Sequence, residues 1–435
     1  METLRVGMVG LGVVGGGVAK ILTEAAERMT RRCGRAVSLT KVAVRDPSKP
    51  RDVQLPAGVV TSDIADVVDG DACDVVIELM GGTDAARDVV LRSLASGKDV
   101  VTANKALIAT HGDELFEAAA KAGRTIAFEA SVAGGVPIIS NLATCLTGNQ
   151  VTSLHGILNG TSNFILSKMH EEGSPYTDVV AEAQRLGYAE ADPTMDVDGA
   201  DAVQKLAILA RLAFGARLDW QAIPRSGIDG IDLVDVGYAQ ELGYRIKLLA
   251  VADLRDGRLD CEVNPALVKA GSPLGEVGGP FNAVLVKGDA VGPLFFYGQG
   301  AGQMPTASAV VADLVDVAVG RAAITFRSLA LGQEANDSAG DAVTQADFAD
   351  STGKRYVRLM VDDHPGVLAE VTRAFGDEGI SIATLLQKQP LEGSRVAPLV
   401  LMTHLASEAA TDAACAKVAA LPQCQAPPVK MWVRD

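Results

Sequence analysis

The stretch Leu4-Arg-Val-Gly-Met-Val-Gly10-Leu-Gly12-Val-Val-Gly15-Gly-Gly-Val-Ala-Lys-Ile-Leu22 decides the fold. Its first apolar residues predict a buried strand and its last ones a helix, so the Gly-x-Gly-x-x-Gly spacing stands at a strand-to-helix turn. Gly10 permits the tight turn, Gly12 lets a pyrophosphate approach the backbone, and Gly15 allows the helix to pack closely on the strand. The helix N-terminus offers unpaired N–H groups to the phosphates. The pattern predicts dinucleotide binding by Gly10, Gly12, Val13, Val14 and Gly15; the alternative is a tight turn without a ligand.

The second predicted strand, from Ser38 to Arg45, ends where the adenosine ribose of a dinucleotide would lie. An acid at this place binds the ribose 2′-hydroxyl of NAD, whereas an arginine accommodates the 2′-phosphate of NADP. Because Arg45 comes first and Asp46 follows, we expect NADP, with NAD as an alternative cofactor. Lys49 and Arg51 are equally well explained as surface charges on a loop.

Strands and helices then alternate along the chain, which predicts a parallel sheet. Ligands of such sheets bind beyond the carboxyl ends of the strands, where the sequence has Thr102-Ala-Asn-Lys105. A lysine that opens a helix is most often solvated, so this segment alone does not assign a role to Lys105. The predicted strands are 74–79, 99–102 and 125–129, and the predicted helices 84–96 and 112–122.

Five acids and one lysine surround a predicted loop and helix start within residues 183–205. Gly187 ends one helix, Asp192-Pro193 prevents immediate re-entry, and Asp198-Gly199 caps the next helix. That helix carries Asp201 and Lys205 four residues apart on one face. An exposed ion pair is one explanation. However, the helix is apolar enough to be buried, and a buried lysine beside an aspartate is a candidate acid/base pair.

The pattern Ala-x3-Gly-Tyr-Ala-x2-Asp-Pro-x2-Asp-Val-x-Gly-x-Asp-x3-Lys of residues 183–205 resembles the signature of homoserine dehydrogenases, and the Thr102–Lys105 segment resembles the same family. The resemblance implies that Lys205 transfers a proton, that Asp201 orients Lys205 or the substrate hydroxyl, and that Lys105 contacts nicotinamide and substrate. It further implies that Glu190 binds the substrate ammonium group, and that the remaining contacts come from Gly187 and Asp196 for the substrate and Thr102 for the cofactor.

Three further segments resemble this family. For residues 129–139 the resemblance implies a monovalent cation such as Na⁺, held by main-chain carbonyls; the alternative is a hinge. Residues 155–163 suit either a substrate-lining loop or simple helix capping, and His155 is expected to make a structural hydrogen bond. For residues 298–309 the resemblance implies that Gly302 contacts the cofactor; the alternative is capping alone. The implied cation ligands are Glu129, Val132, Gly134 and Val136.

The C-terminal part predicts the order βαββαβ, from a strand at 356–361 to a strand at 429–433. This order, with Asp-x-x-Gly-Val-Leu at 363–368, resembles the ACT family of amino-acid-sensing modules. The resemblance implies feedback inhibition by L-threonine; the alternative is a dimerisation module that has lost its ligand. Residues 321–352 are polar and predict a linker.

Composition narrows the class of protein. The formal charge of −15 without a basic run argues against partners such as nucleic acid or an anionic membrane surface. Six scattered cysteines form no metal-binding or disulfide pattern, and no long apolar run or basic leader is present, so we expect a cytoplasmic protein.

These observations predict an α/β chain with a Rossmann-type doubly wound parallel sheet, an α+β substrate and dimerisation domain, and an ACT domain. The resemblance implies reversible NAD(P)H-dependent reduction of L-aspartate 4-semialdehyde to L-homoserine, in a homodimer or homotetramer. Two alternatives stay open: a dehydrogenase of another hydroxy acid, and a sensor without catalysis. The expected bounds are 1–135, completed by helix 303–320, for the dinucleotide domain, 136–302 for the substrate domain, 321–352 for the linker and 353–435 for the ACT domain.

Overall fold

The computed structural model describes residues 3–328, 343–388 and 395–435. The described strands are β1 (Leu4–Val9), β2 (Val37–Ala43), β3 (Val60–Thr61), β4 (Val75–Glu78), β5 (Asp99–Thr102), β6 (Ile126–Ala127), β7 (Val151–Ile157), β8 (Tyr244–Arg255), β9 (Arg258–Lys269), β10 (Phe281–Gly288), β11 (Gly292–Gln299), β12 (Thr344–Gln345), β13 (Thr352–Asp362), β14 (Ile382–Gln387), β15 (Val396–Thr403), β16 (Ala406–Ser407) and β17 (Cys424–Arg434).

The described helices are α1 (Val13–Glu24), α2 (Ala26–Cys33), α3 (Ala65–Val68), α4 (Asp84–Ala95), α5 (Lys105–Ala122), α6 (Ile138–Ser140), α7 (Gly160–Glu172), α8 (Tyr176–Leu186), α9 (Thr194–Val197), α10 (Ala200–Phe214), α11 (Leu233–Glu241), α12 (Gln303–Ala318), α13 (Arg321–Ser328), α14 (Val367–Asp377) and α15 (Glu408–Ala419). The chain forms two compact units. The first unit comprises residues 1–152, 204–222 and 282–343, and the second unit comprises 153–203, 223–281 and 344–435.

The first unit is built on a six-stranded sheet in the order β3-β2-β1-β4-β5-β6. All its pairs are parallel. The strand order reverses between β1 and β4, and such a reversal is where doubly wound sheets bind dinucleotides. The predicted Rossmann-type fold is therefore confirmed. β6 is shorter than predicted, because Glu129 begins a 3₁₀ turn, Glu129–Ser131.

Helix α12 covers the same sheet as α1. A Cβ atom on Gly17 would lie 2.9 Å from the Ala307 Cβ atom, so the glycine lets the two helices approach closely. Buried α12 residues such as Val310 and Leu314 join the apolar core formed by β1, α1 and β2. The helix that begins after Gly302 therefore belongs to the packing of the dinucleotide sheet.

The second unit contains a sheet in the order β7-β8-β9-β17-β13-β15-β14. β8 pairs antiparallel with both β7 and β9, and β17 pairs parallel with β9, where Trp432 lies opposite Ala266. The strands β13, β14, β15 and β17, with helices α14 and α15, have the predicted βαββαβ order of an ACT domain, which is confirmed. Their apolar core includes Val371, Phe375 and Leu401.

The predicted linker and domain bounds differ in detail from the two units. Residues 321–328 of the linker form helix α13 and residues 344–345 form β12, while residues 329–342 lie outside the described residues. Parts of the predicted substrate domain, at 136–152, 204–222 and 282–302, group with the first unit. The predicted domain bounds therefore stay a prediction.

Candidate functional site

The glycine turn after β1 has the geometry that its spacing predicts. Gly10 has a φ of +102°, and a Cβ atom there would lie 2.4 Å from the Leu79 carbonyl oxygen. A Cβ atom on Gly15 would lie 2.4 Å from the Gly10 carbonyl oxygen, whereas one on Gly12 would meet nothing within 4 Å. Gly10 and Gly15 are thus required by the turn itself, and Gly12 leaves open space beside the N-terminus of α1.

The first turn of α1 presents Val13 and Val14. Val13 is 68% exposed, and Val14 is half-buried against the core of the sheet. An exposed valine beside a row of helix-end N–H groups forms an apolar edge next to an anion-binding surface. The turn thus has the backbone and the open space that a bound dinucleotide needs.

The loop after β2 has charged side chains that are bonded within the loop and others that are exposed to solvent. Arg51 donates hydrogen bonds to the carbonyl oxygens of Lys49 and Asp46, both at 2.7 Å, so its guanidinium is used by the loop. The Asp46 carboxylate accepts from Ser48, and these hydrogen bonds lower the pKa of Asp46. Arg45 is exposed and has no hydrogen bond or ion pair with the described part of the chain. The Lys49 side chain is likewise exposed without such a partner in the described part of the chain, so Arg45 and Lys49, but not Arg51, have side chains available to a ligand.

A buried carboxylate joins the ends of β4 and β5. Glu78, the last residue of β4, is 0% exposed and accepts hydrogen bonds from the Met80 N–H and the Thr102 hydroxyl, both at 2.6 Å. The Thr102 hydroxyl oxygen accepts from the Asn104 N–H at 3.0 Å. Burial raises the pKa of Glu78, while the hydrogen bonds from Thr102 and Met80 oppose the rise. Sequence reasoning missed Glu78, although a charged residue at the end of an apolar strand was the available signal.

Asn104 caps the helix that begins with Lys105. Its side-chain oxygen accepts from the Leu107 N–H at 3.1 Å, and its side-chain nitrogen donates to the Gly82 carbonyl at 2.8 Å. Lys105 is half-buried in the first turn of α5. The first unit thus brings together Thr102 and Lys105 at the carboxyl ends of β4 and β5, where sequence reasoning expected chemistry.

Gly302 starts helix α12 with a φ of +113°, a conformation that favours glycine. The preceding Gly300 is packed so closely against the Asn282 side chain that a Cβ atom would clash. Glycine is therefore required in this loop for backbone geometry, and that requirement holds whether or not a cofactor binds there.

The segment 129–136 is buried and irregular. Ala133 and Gly134 both have positive φ, 53° and 49°. The Glu129 carboxylate accepts from the Ile139 and Ser140 N–H groups at 2.9 and 2.7 Å and from the Ser140 hydroxyl. Among the described residues, the carbonyl oxygens of Val132 and Gly134 accept no hydrogen bond, whereas those of Glu129 and Val136 accept from Val132 and Ile138. Buried carbonyls without a donor fit the oxygen ligands of a hard cation.

In the second unit, one asparagine joins two carboxylates. Asn159 is 5% exposed, and its side-chain nitrogen donates to the Asp196 Oδ1 atom at 2.7 Å and the Asp201 Oδ2 atom at 2.9 Å. Its side-chain oxygen accepts from the Ser162 N–H at 2.7 Å, which caps α7. Asp201 is 6% exposed. Asn159 was not predicted as a site residue, although the Asn-Gly helix start had marked it for capping.

Other hydrogen bonds fix the loop that follows α8. Thr161 donates to the Tyr188 carbonyl at 2.7 Å, and Ser162 donates to the Asp196 carbonyl at 2.7 Å. Gly187 ends α8 with a φ of +78°, as its position predicted. Glu190 follows with an exposed side chain. The fold therefore places Gly187, Glu190 and Asp196 on the segment between α8 and α10, with Asp196 in the short helix α9, and this segment is tied to the start of α7.

Helix α10 carries Asp201 and Lys205. Asp198 accepts from the Ala200 N–H at 2.8 Å, so the predicted cap is confirmed. The helix is apolar and largely buried, as expected, and Lys205 is half-buried on it. His155 pairs with Asp253 at 2.9 Å, which agrees with the structural role expected for it.

The ACT domain has a cavity of about 310 Å³ at the turn between β13 and α14. Gln387 donates to the Asp363 Oδ1 atom at 3.2 Å across this cavity, and Gly366 has a φ of +102° at the N-terminus of α14. The lining includes Asp363, His364, Gly366, Leu368 and Gln387.

No helix in the described residues has the length and apolar character needed to span a membrane.

The parallel sheet with its glycine turn, the polar strand ends and the C-terminal βαββαβ module define a dinucleotide-binding oxidoreductase with an ACT domain. Three family models match the chain: "Homoserine dehydrogenase, NAD binding domain" at residues 10–129, "Homoserine dehydrogenase" at 137–315 and "ACT domain" at 355–423. The homoserine dehydrogenase of Pseudomonas aeruginosa is 43% identical over 100% of both chains. The chain belongs to the homoserine dehydrogenase family.

Solved structures agree with this assignment. The homoserine dehydrogenase of Thiobacillus denitrificans has a TM-score of 0.92 and 43% identity, and the comparison covers 100% of this chain and 99% of that one. A hyperthermophilic archaeal homoserine dehydrogenase in complex with NADPH has a TM-score of 0.62 and 26% identity, covering 73% of this chain and 98% of that one.

Proposed function

We propose that this protein catalyses the reversible NAD(P)H-dependent reduction of L-aspartate 4-semialdehyde to L-homoserine. The observation that carries the proposal is the buried Asp201, fixed by Asn159 and four residues before the half-buried Lys205 on the same helix. A carboxylate and a lysine in this arrangement are suited to orient a hydroxyl group and to move its proton. Family membership supplies the substrate.

A bound nicotinamide would supply the hydride that adds to the aldehyde carbon. In our proposal Lys205 donates a proton to the oxygen of that aldehyde, so that an alcohol forms, and accepts the proton back in the reverse direction. Asp201 orients the Lys205 ammonium or the substrate hydroxyl. Asn159 in turn holds Asp201 through a charge-assisted hydrogen bond at 2.9 Å, so the carboxylate has a fixed orientation.

The substrate amino-acid group is assigned to the loop after α8. Glu190 would pair with the α-ammonium group, because its exposed carboxylate stands on a loop held by Thr161 and Ser162. Gly187 and Asp196 would complete the substrate contacts. Asp196 is supported in this role by its hydrogen bond from Asn159, which it shares with Asp201.

The cofactor is assigned to the first unit and to NADP in preference to NAD. The glycine turn, Val13 and Val14 would hold the pyrophosphate, and Arg45 would bind the 2′-phosphate. Support for Arg45 comes from its exposure beside Arg51, whose guanidinium is already bonded to the loop. Thr102, Lys105 and Gly302 would contact the nicotinamide end, with Lys105 also reaching the substrate.

A monovalent cation such as Na⁺ is proposed at the irregular segment after β6. The carbonyl oxygens of Glu129, Val132, Gly134 and Val136 would be its ligands. The carbonyls of Val132 and Gly134, buried and without a hydrogen bond from the described residues, support this assignment. A cation there would hold the backbone turn in place and would take no part in proton transfer.

L-Threonine is proposed as a feedback inhibitor that binds the ACT cavity. The helix N-terminus at Gly366 offers N–H groups to a carboxylate, and Asp363 offers an acceptor to an ammonium group. The cavity of about 310 Å³ is large enough for a small amino acid. A homodimer or homotetramer in the cytoplasm, predicted from the sequence, belongs to this proposal.

The test follows nicotinamide absorbance with L-homoserine and NADP or NAD. We expect homoserine-dependent reduction in the wild type, loss of kcat far beyond any change of KM in Lys205→Ala, and a raised KM for homoserine in Glu190→Gln. Added L-threonine should suppress the rate. Folded protein that binds the cofactor but reduces neither form with homoserine would refute the proposed reaction. Near-normal turnover by Lys205→Ala would refute the proton-transfer role.

A further inference from the structure

We propose that Glu78 is a positioning residue for the nicotinamide end of the cofactor site. Its carboxylate, completely buried at the end of β4, accepts from the Met80 N–H and from Thr102 on the neighbouring strand. This carboxylate therefore joins the carboxyl ends of the adjacent strands β4 and β5. The inference rests on the proposed role of Lys105, which begins the next helix.

The network around Glu78 extends to the start of that helix. Asn104 donates to the Gly82 carbonyl at 2.8 Å and caps α5 through its side-chain oxygen. Thr102 accepts from the Asn104 N–H at 3.0 Å. The backbone just before Lys105 is thus held from both sides, by the loop after β4 and by the end of β5.

The location of this network separates it from the rest of the cofactor site. In a sheet of this order one half binds each mononucleotide of the cofactor. The glycine turn and Arg45 belong to the half formed by β1, β2 and β3, whereas Glu78 and Thr102 belong to the half formed by β4, β5 and β6. A defect at Glu78 should therefore disturb the nicotinamide end and leave the adenosine end intact.

Replacement by glutamine removes the charge but keeps the size of the side chain. Both carboxylate oxygens of Glu78 accept from donors, so the amide nitrogen of a glutamine must face one of those donors. It can donate to the Thr102 hydroxyl oxygen, but the hydroxyl proton then loses its charged acceptor. The cap of α5 then loses part of its support. Lys105 should move because its position in the first helical turn depends on that cap.

The experiment compares Glu78→Gln with wild type for the affinity of NADP and of adenosine 2′,5′-bisphosphate, which lacks the nicotinamide. We expect the affinity for NADP to fall about tenfold, as for loss of one charge-assisted hydrogen bond, with unchanged affinity for the bisphosphate. Homoserine oxidation should also fall. Equal changes for the two ligands, or NADP affinity and turnover within about twofold of wild type, would overturn the proposal.

Asp99→Asn is the matched control, because Asp99 begins β5, the strand that ends at Thr102, and accepts hydrogen bonds from Thr125 at the opposite edge of the sheet. It should leave both ligand affinities unchanged; the same selective loss in this variant would overturn the proposal. If Glu78→Gln does not fold, Asn104→Asp replaces it, since aspartate still caps the helix but donates nothing to the Gly82 carbonyl. A wild type without homoserine-dependent reduction would refute the proposed function alone, because the ligand comparison still decides the role of Glu78.

Discussion

The link from Asn159 to Asp196 and Asp201 is tested by Asn159→Ser. Serine caps a helix about as well as asparagine, so the start of α7 should persist. Its hydroxyl is too short to reach the carboxylates that the Asn159 amide nitrogen contacts at 2.7 and 2.9 Å. The substitution therefore removes the donor to both carboxylates while keeping the cap.

The size of the effect follows from these two hydrogen bonds. A hydrogen bond to a charged group contributes about 1.5–3 kcal/mol, so the pair represents roughly 3–6 kcal/mol in the folded protein. Part of this is lost as stability. A less well oriented Asp201 should also stabilise the transition state less. If this stabilisation falls by about 1.4 to 2.8 kcal/mol, kcat/KM for homoserine falls about 10- to 100-fold.

The assay measures kcat and KM for homoserine oxidation together with Tm. Asn163→Ser is the matched control, because Asn163 lies in the first turn of the helix that Asn159 caps, is also buried, and donates to the carbonyls of Val277, Gly279 and Phe281. It should lower Tm with little change in kcat/KM. A wild-type kcat/KM in Asn159→Ser, or an equal fall in the control, would contradict the proposed orientation of Asp201.

Two further predictions concern charged side chains. Arg45→Ala should raise the KM for NADP about tenfold, since an exposed charged contact is worth little more than about 1 kcal/mol, and should leave the KM for NAD unchanged; equal effects on both cofactors would remove its phosphate role. Lys247 is 2% exposed, and burial lowers its pKa from 10.5 to about 8. Between these pH values the unfolded chain binds the proton that the folded chain has released, so Lys247 by itself adds about 3 kcal/mol to the free energy of unfolding as the pH rises. Buried thiols such as Cys261, whose pKa burial raises, contribute with the opposite sign. In denaturant titrations the free energy of unfolding of the wild type relative to that of Lys247→Met should therefore rise by about 3 kcal/mol over this pH range.

Much of the fold could be predicted because its signals are local. The strand, glycine turn and helix of residues 4–22 form one continuous pattern, and helix ends at Gly187 and Gly302 were marked by residues that favour positive φ. Strand β11 was missed because Gly292, Pro293 and Gly298 interrupt its apolar alternation. The sequence predicts a linker where the structure has helix α13, because the short sequence of this helix lies beside polar residues.

The candidate site was only partly predictable, because its key contacts join distant segments. Asn159 meets carboxylates 37 and 42 residues away, and Glu78 meets Thr102 24 residues away. No periodicity connects such pairs, so a single sequence identifies each residue type but not its partner. The spacing of the acids and lysines on one helix and one loop identifies them as candidate site residues. Asn159 and Glu78, which hold other site residues in place, have no such spacing.

The two missed networks nevertheless share a feature that the sequence did carry. Asn104 and Asn159 are both N-caps whose side-chain oxygen accepts a helix N–H while the side-chain nitrogen reaches another segment. Aspartate or serine would cap these helices as well, but aspartate donates no hydrogen bond, and serine has one short hydroxyl. Asparagine is therefore the cap that also binds an acceptor beyond its own helix. An Asn that opens a helix directly after a buried strand therefore indicates that an acceptor from elsewhere in the chain lies at that strand end. Another capping residue at the same position would not indicate this.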